Sequence, residues 1–219
     1  AVGALALQTL TNKGGTPRQE AGWQWPTPRT LQPEQRKVFY ILCVVLLIAF
    51  LAVIPINLHG TRSAGDFQDK GEDELVMYPL LMTMFKPAPD LRSALYQVFE
   101  YDDYHYGFPF YALSAVVVLP SRIAFGADFG QQYWLNLPLL RLFVSVLPIL
   151  LSALLTAWLG TRFRSLPAAL TILLLVLTLP AVLKYQQFFW HPDGLTVLGS
   201  LLVLFFLVRD DLRLGPDFI

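Results

Sequence analysis

Glu72-Asp73-Glu74 stands beyond a 21-residue apolar run, Val38 to Leu58, with Tyr78-Pro79 close behind. A carboxylate held at a bilayer surface can take the proton from a hydroxyl that attacks a lipid-borne substrate. Two more patterns lie at the edges of apolar runs. One is Tyr101-Asp102-Asp103-Tyr104-His105-Tyr106-Gly107-Phe108-Pro109-Phe110-Tyr111, and the other is Trp190-His191-Pro192-Asp193-Gly194-Leu195. An Asp at the centre of a membrane helix costs roughly 2.5–3.5 kcal/mol even on mild insertion scales, so the edges are where ionised acids persist. Position alone also suits solvated loop charges and an interfacial aromatic belt. The order of the elements along the chain must discriminate.

Those elements are apolar. The 219 residues are 55% hydrophobic and 15% charged, with a formal net charge of zero and a mean hydropathy of +0.50. This is a membrane composition, and it offers no basic field or stripe for nucleic acid. Cys43 is the only cysteine and lies in the first apolar run. It cannot form an intrachain disulfide, a thiol zinc site or a redox pair. The sequence begins at Ala1 and its last residues follow directly on an apolar segment, which reads as a piece of a longer chain.

The periodicity predicts an all-α polytopic membrane protein of about five transmembrane helices, with spans near 38–58, 107–125, 142–160, 166–183 and 192–208. Residues 1–37 carry Gly14-Gly15, Pro17, Pro26, Pro28 and Pro33 and read as an irregular tail. Its cations Lys13, Arg18, Arg29, Arg36 and Lys37 outnumber Glu20 and Glu34, which places the amino terminus in the cytoplasm. The loop 59–106 is acidic, as suits an outer face. Within it Leu75, Leu80, Leu81, Met84 and Phe85, then Leu91, Leu95, Val98 and Phe99, recur at helical spacing on either side of Pro87-Ala88-Pro89-Asp90. Two short amphipathic helices lying on the membrane fit this pattern, as does a small folded cap.

In order, these patterns resemble the GT-C class of integral-membrane glycosyltransferases, of the mannosyl- and aminoarabinosyl-transferase kind. Asp73, Glu74 and Tyr78 are similar to that class's acidic motif in the first outer loop. His105 to Tyr111 is similar to its second element, Leu140-Arg141-Leu142 with Gly160-Thr161-Arg162 to a helix bounded by arginines, and Pro192-Asp193 to a Pro-Asp before a later helix. The match spans about residues 38–208 and only the amino-terminal part of a usual member.

The resemblance implies a GT-C-like module over 38–219 that transfers a sugar from a polyprenyl-phosphate donor to an acceptor hydroxyl or lipid at the outer face. Asp73 would be the general base, and Asp102 or Asp103 the second acid or the group that orients His105. His105, Lys86 or Arg92 would stabilise the leaving phosphate. Glu74, Tyr78 and Tyr106 complete the substrate contacts. Membrane lipids are the surroundings, and a bacterial inner membrane is the expected location.

His59, His105 and His191 lie on separate segments without paired ligand spacing, so no metal ligand set is assigned. If a cofactor binds, Asp73 with Asp102 or Asp103 would favour a hard divalent ion, magnesium or manganese. Five crossings would put His191 and Asp193 opposite Asp73. Either one run, 107–125 or 166–183, fails to cross, or Asp193 acts as the N-cap of the fifth helix, and the capping reading is preferred. The rival functions are a noncatalytic structural subunit of a larger membrane complex, built on a degenerate or truncated GT-C fold, and a transporter fragment.

Overall fold

The computed structural model describes residues 31–63, 72–99, 106–183 and 189–209. The chain divides into Ala1–Leu31 and Gln32–Ile219, and the described helices all belong to the second unit. Its described residues are helical, without strands.

Helix α1, Pro33–Asn57, begins five residues before the apolar run, so residues 33–37 belong to a helix rather than to an irregular tail. Pro33 suits the first turn, where its missing N–H is no loss. Glu34 also stands in that turn, and the Gln35 side chain accepts from the Gln32 N–H at 3.0 Å. Helix α2, Glu72–Thr83, and helix α3, Leu91–Phe99, follow. Helix α4 is Phe108–Phe125, and a 3₁₀ segment, Gly126–Gln131, leads from it into helix α5. Helix α5 runs Tyr133–Thr161, with a π-helical stretch at Arg141–Val146. Helices α6, Leu166–Thr178, and α7, Asp193–Arg209, complete the unit.

By length and composition, Pro33–Asn57, Phe108–Gln131 and Tyr133–Thr161 are long and apolar enough to cross a membrane. Helix α6 is shorter than its predicted run because Leu179 leaves helical geometry before Pro180. At about 1.5 Å per residue it is about 20 Å long.

Contacts fix the direction of each helix. Gln35 donates to the Arg162 carbonyl at 2.8 Å, and Phe39 lies 5.8 Å from Phe163. At the opposite end Arg141 donates to the carbonyls of Asn57 and His59. Helices α1 and α5 are therefore antiparallel. Helix α6 turns back along α5 after Arg162 and Phe163, both at positive φ. Helix α7 starts against the π segment and also packs along α5. The four make a bundle with an Asn57 end and an Arg162 end.

The remaining helices cover the Asn57 end. Helix α2 is not simply amphipathic. It buries Glu74, Met77, Tyr78 and Leu81 at i, i+3, i+4 and i+7 and exposes Leu75 and Val76, so it is part of the packed cap. Helix α3 does present an apolar outer face, of Leu91, Leu95, Tyr96 and Phe99. The Asp90 carboxylate caps it, accepting from Ser93 N–H at 2.8 Å, a bond that lowers the pKa of this carboxyl. The cap core joins Met77, Tyr78 and Leu81 to Phe110, Tyr111, Val118, Phe129, Leu137, Leu140 and Trp190.

At Gly194 the backbone of α7 lies close to that of α5, since a Cβ there would lie 2.7 Å from the Ser145 carbonyl oxygen. Gly199, five residues on, has nothing within 4 Å of that position. Gly194→Ala is expected to destabilise the fold by about 1–3 kcal/mol, because backbone cannot yield as a side chain does. Gly199→Ala is expected to be neutral or to gain up to about 1 kcal/mol of helix propensity. Thermal unfolding of the two variants in detergent compares them.

Candidate functional site

Arg141 lies within an apolar helix and is fully buried. Its Nε donates to Glu74 Oε1 at 2.8 Å and its Nη2 to Oε2 at 2.5 Å, a two-pronged pair with a carboxylate that is itself 1% exposed. Nη1 donates to the carbonyls of Asn57 at 3.2 Å and His59 at 2.9 Å. Glu74 Oε1 also accepts the Trp190 backbone N–H at 2.7 Å. The π-helical stretch begins at Arg141, as such insertions often do at functional positions. One side chain thus ties the end of α1, the start of α2 and the segment before α7 to α5.

The Trp190 segment is held at three more points. The Trp190 indole N–H donates to Ser114 Oγ at 3.0 Å, and its ring stacks on Phe110 at 5.2 Å. The His191 N–H donates to Ser145 Oγ at 2.9 Å, and that hydroxyl donates back to the His191 carbonyl at 3.1 Å.

So anchored, the imidazole of His191 reaches Asp73. Its Nε2 is 3.7 Å from Asp73 Oδ2, and its Nδ1 is 3.1 Å from Asp193 Oδ1. The Tyr106 hydroxyl donates to Asp73 Oδ1 at 3.4 Å, and its ring meets the imidazole edge-to-face at 5.3 Å. Asp73 and Asp193 are 62% and 52% exposed and His191 25%, so the cluster opens to solvent. Partial burial and the adjacent negative charge of Asp73 raise the Tyr106 phenol above its ordinary pKa. This group can accept a proton at Asp73, and the Tyr106 hydroxyl beside it supplies a donor.

Five crossings would separate His191 and Asp193 from Asp73, but here His191 meets Asp73 and Asp193 meets His191, all at the Asn57 end. The described side-chain contact of Asp193 is with His191 rather than with an N-terminal amide of α7. Glu74 and Tyr78 were assigned to substrate, but both are enclosed. Each oxygen of Glu74 is taken by Arg141. The Tyr78 hydroxyl donates to the Gly130 carbonyl at 3.0 Å and accepts from Asn136 Nδ2 at 2.8 Å. Burial pushes the Tyr78 phenol up to about 12. Lys86 and Arg92 are exposed, and neither is among the described contacts of Asp73. Arg92 instead lines a recess of about 740 Å³ with Leu91, Leu95, Tyr96 and Phe99 on α3. Asp102, Asp103 and His105 lie outside the described residues.

Among the described residues no three acidic, His or Cys side chains surround a common point. His191 faces Asp73 with one ring nitrogen and Asp193 with the other, so these three do not fit a single ion as arranged. Arg141, Ser145 and Trp190 carried no assigned role in the sequence. Arg141 had a legible signal, since a guanidinium between Leu140 and Leu142 must find a partner. No family model matches the chain, and no curated protein or solved structure does.

Losing one partner of a buried ion pair strands the other. Arg141→Met and Glu74→Leu are each expected to cost about 3–5 kcal/mol. Together they should cost less than the sum, and a double-mutant cycle on unfolding measures the difference. Tyr78 gives a pH signature. Its folded pKa of about 12 exceeds the ordinary 10.0, so its contribution is complete below pH 10 and is lost as the pH rises towards 12. Tyr78→Phe should flatten the fall in stability across that window, followed by denaturation midpoints against pH.

Proposed function

We propose that the protein transfers a sugar from a polyprenyl-phosphate donor to an acceptor hydroxyl at the membrane face bearing Asp73. The observation that carries this reading is the convergence of Asp73, Tyr106, His191 and Asp193, from three separate segments, on one open site at the Asn57 end. The order of the acidic, aromatic-proline, arginine and Pro-Asp elements, similar to that of GT-C enzymes, supplies the substrate class.

In the proposed reaction the acceptor oxygen bonds to the anomeric carbon while the bond from that carbon to the phosphate oxygen breaks. The acceptor proton passes to Asp73, and the polyprenyl phosphate leaves with the electron pair of the broken bond. Attack opposite the leaving group inverts the anomeric centre. Tyr106 holds one oxygen of Asp73 and leaves the other towards His191. Asp193 orients the imidazole through Nδ1, which keeps Nε2 aimed at the reacting carboxylate. An exposed base suits a hydroxyl substrate arriving from water or from the lipid surface.

On this reading the chain is an integral membrane protein, its amino terminus is cytoplasmic, and the site faces the opposite side. Asp73→Asn is expected to lower transfer from a polyprenyl-phosphate mannose or aminoarabinose donor by about 10²–10⁴-fold while membrane insertion is retained. Labelled sugar counted in lipid extracts reads the first, and resistance to carbonate extraction the second. Turnover near that of the parent would move the protein to the structural-subunit reading.

A further inference from the structure

Helix α4 with its 3₁₀ extension has the length and hydropathy of a membrane span, yet its contacts keep both ends at the same end of the bundle. At its start, Phe110 stacks on Trp190 and Ser114 accepts from the Trp190 indole. Trp190 is tied through Glu74 to Arg141, which holds the carbonyls closing α1. At its finish, Phe125 meets Trp134 at 6.5 Å, and Arg122 sits 5.1 Å over the ring of Phe129. Phe129 contacts Phe85 beyond α2, and the neighbouring Gly130 carbonyl accepts from Tyr78. Gly126, at φ 59°, turns the chain so that α4 and the first part of α5 form a hairpin. The Gln35 and Arg162 contacts that mark the other end of the bundle involve no residue of α4.

The two faces of α4 differ. Phe110, Tyr111, Ser114, Val118 and Ser121 are buried in the cap, while Val116, Leu119 and Ile123 form an exposed apolar stripe at i, i+3 and i+7. The stripe runs on to the exposed Phe125 and Trp134 at the hairpin turn. The only basic side chain of α4, Arg122, is directed inward over Phe129 and donates to the Gly126 carbonyl.

We infer that α4 is not a span, and that its outer stripe is an interaction surface seated in the hydrocarbon of a single leaflet, that of the Asn57 end. The bilayer is the occupant because the stripe belongs to the same unit as α1 and α5, which are long and apolar enough to cross, and because Val116, Leu119 and Ile123 present no charge, the exposed Asp128 lying beyond them in the turn. Aromatics at the hairpin turn fit the interfacial depth. With α4 excluded, α1 and α5 are the helices long enough to cross, and the shorter α6 and α7 run back and forth along α5 between its two ends. The contact of His191 with Asp73 then keeps both segments on one side of the membrane, whatever reaction they serve.

The experiment is sidedness labelling in Cys43→Ala full-length protein with an impermeant maleimide, applied to intact cells and to inverted vesicles. Single cysteines are placed at Arg62, at Ala127 in the 3₁₀ segment and at Arg164, with Asp128→Cys as a second probe of the turn. The expected result is that the turn cysteines label from the same side as Arg62→Cys, and Arg164→Cys from the other. Labelling of the turn with Arg164→Cys would overturn the inference. A nitroxide on Ile123→Cys in lipid vesicles should collide more with oxygen than with a water-soluble nickel complex. Preference for nickel, or shielding from both, would overturn the lipid as occupant.

Discussion

A guanidinium inside an apolar helix must be neutralised where it lies, and the whole Asn57 end of this protein is arranged around that requirement. Arg141 engages both oxygens of the Glu74 carboxylate with two donors and turns a third to the chain that leaves α1. Glu74 has acceptor capacity to spare and uses it on the Trp190 N–H. Such a pair adds little over well-packed apolar side chains, since desolvating both charges consumes most of the attraction. Its effect is on specificity. The observed placement of three distant segments satisfies the donors of Arg141 and the acceptors of Glu74 together.

The same interaction sorts neighbouring residues into anchors and chemistry. Residues adjacent on a helix point about 100° apart, so with Glu74 turned inward to Arg141, Asp73 is left on the open side. Trp190 and His191 divide in the same way. The indole fills the cap core and bonds Ser114, while the next side chain, its backbone clamped by Ser145, projects to Asp73. Two pairs of consecutive residues thus supply both the fixed frame and the open groups. An ionised carboxylate without a cationic partner needs this division, because full burial would impose the desolvation that Glu74 offsets only by its partner.

Placement of α4 follows from the cap as well. Its inner face completes the core around Trp190 and Phe129, and its outer face has no protein against it among the described residues. A helix of that length could cross a bilayer on hydropathy alone. Its packing against the cap instead motivates the inference that it stays in one leaflet, which would remove the conflict that five crossings create for His191 and Asp193.

By itself the sequence determined the helical class, nearly all the helix positions, the break at Pro87 to Asp90 and the acids at the edges of the apolar runs. These are local properties, written in hydropathy, helical spacing and proline, and they survive in any arrangement of the helices. It also marked Asp73. Tertiary structure alone decided that Glu74 and Tyr78 are enclosed, that Arg141 is the partner of Glu74, and that His191 and Asp193 join Asp73. Each depends on which ends of the helices meet, and hydropathy is blind to that because a span and a cap helix bury equally apolar residues. The long-range match of one buried guanidinium to one carboxylate supplies the missing information.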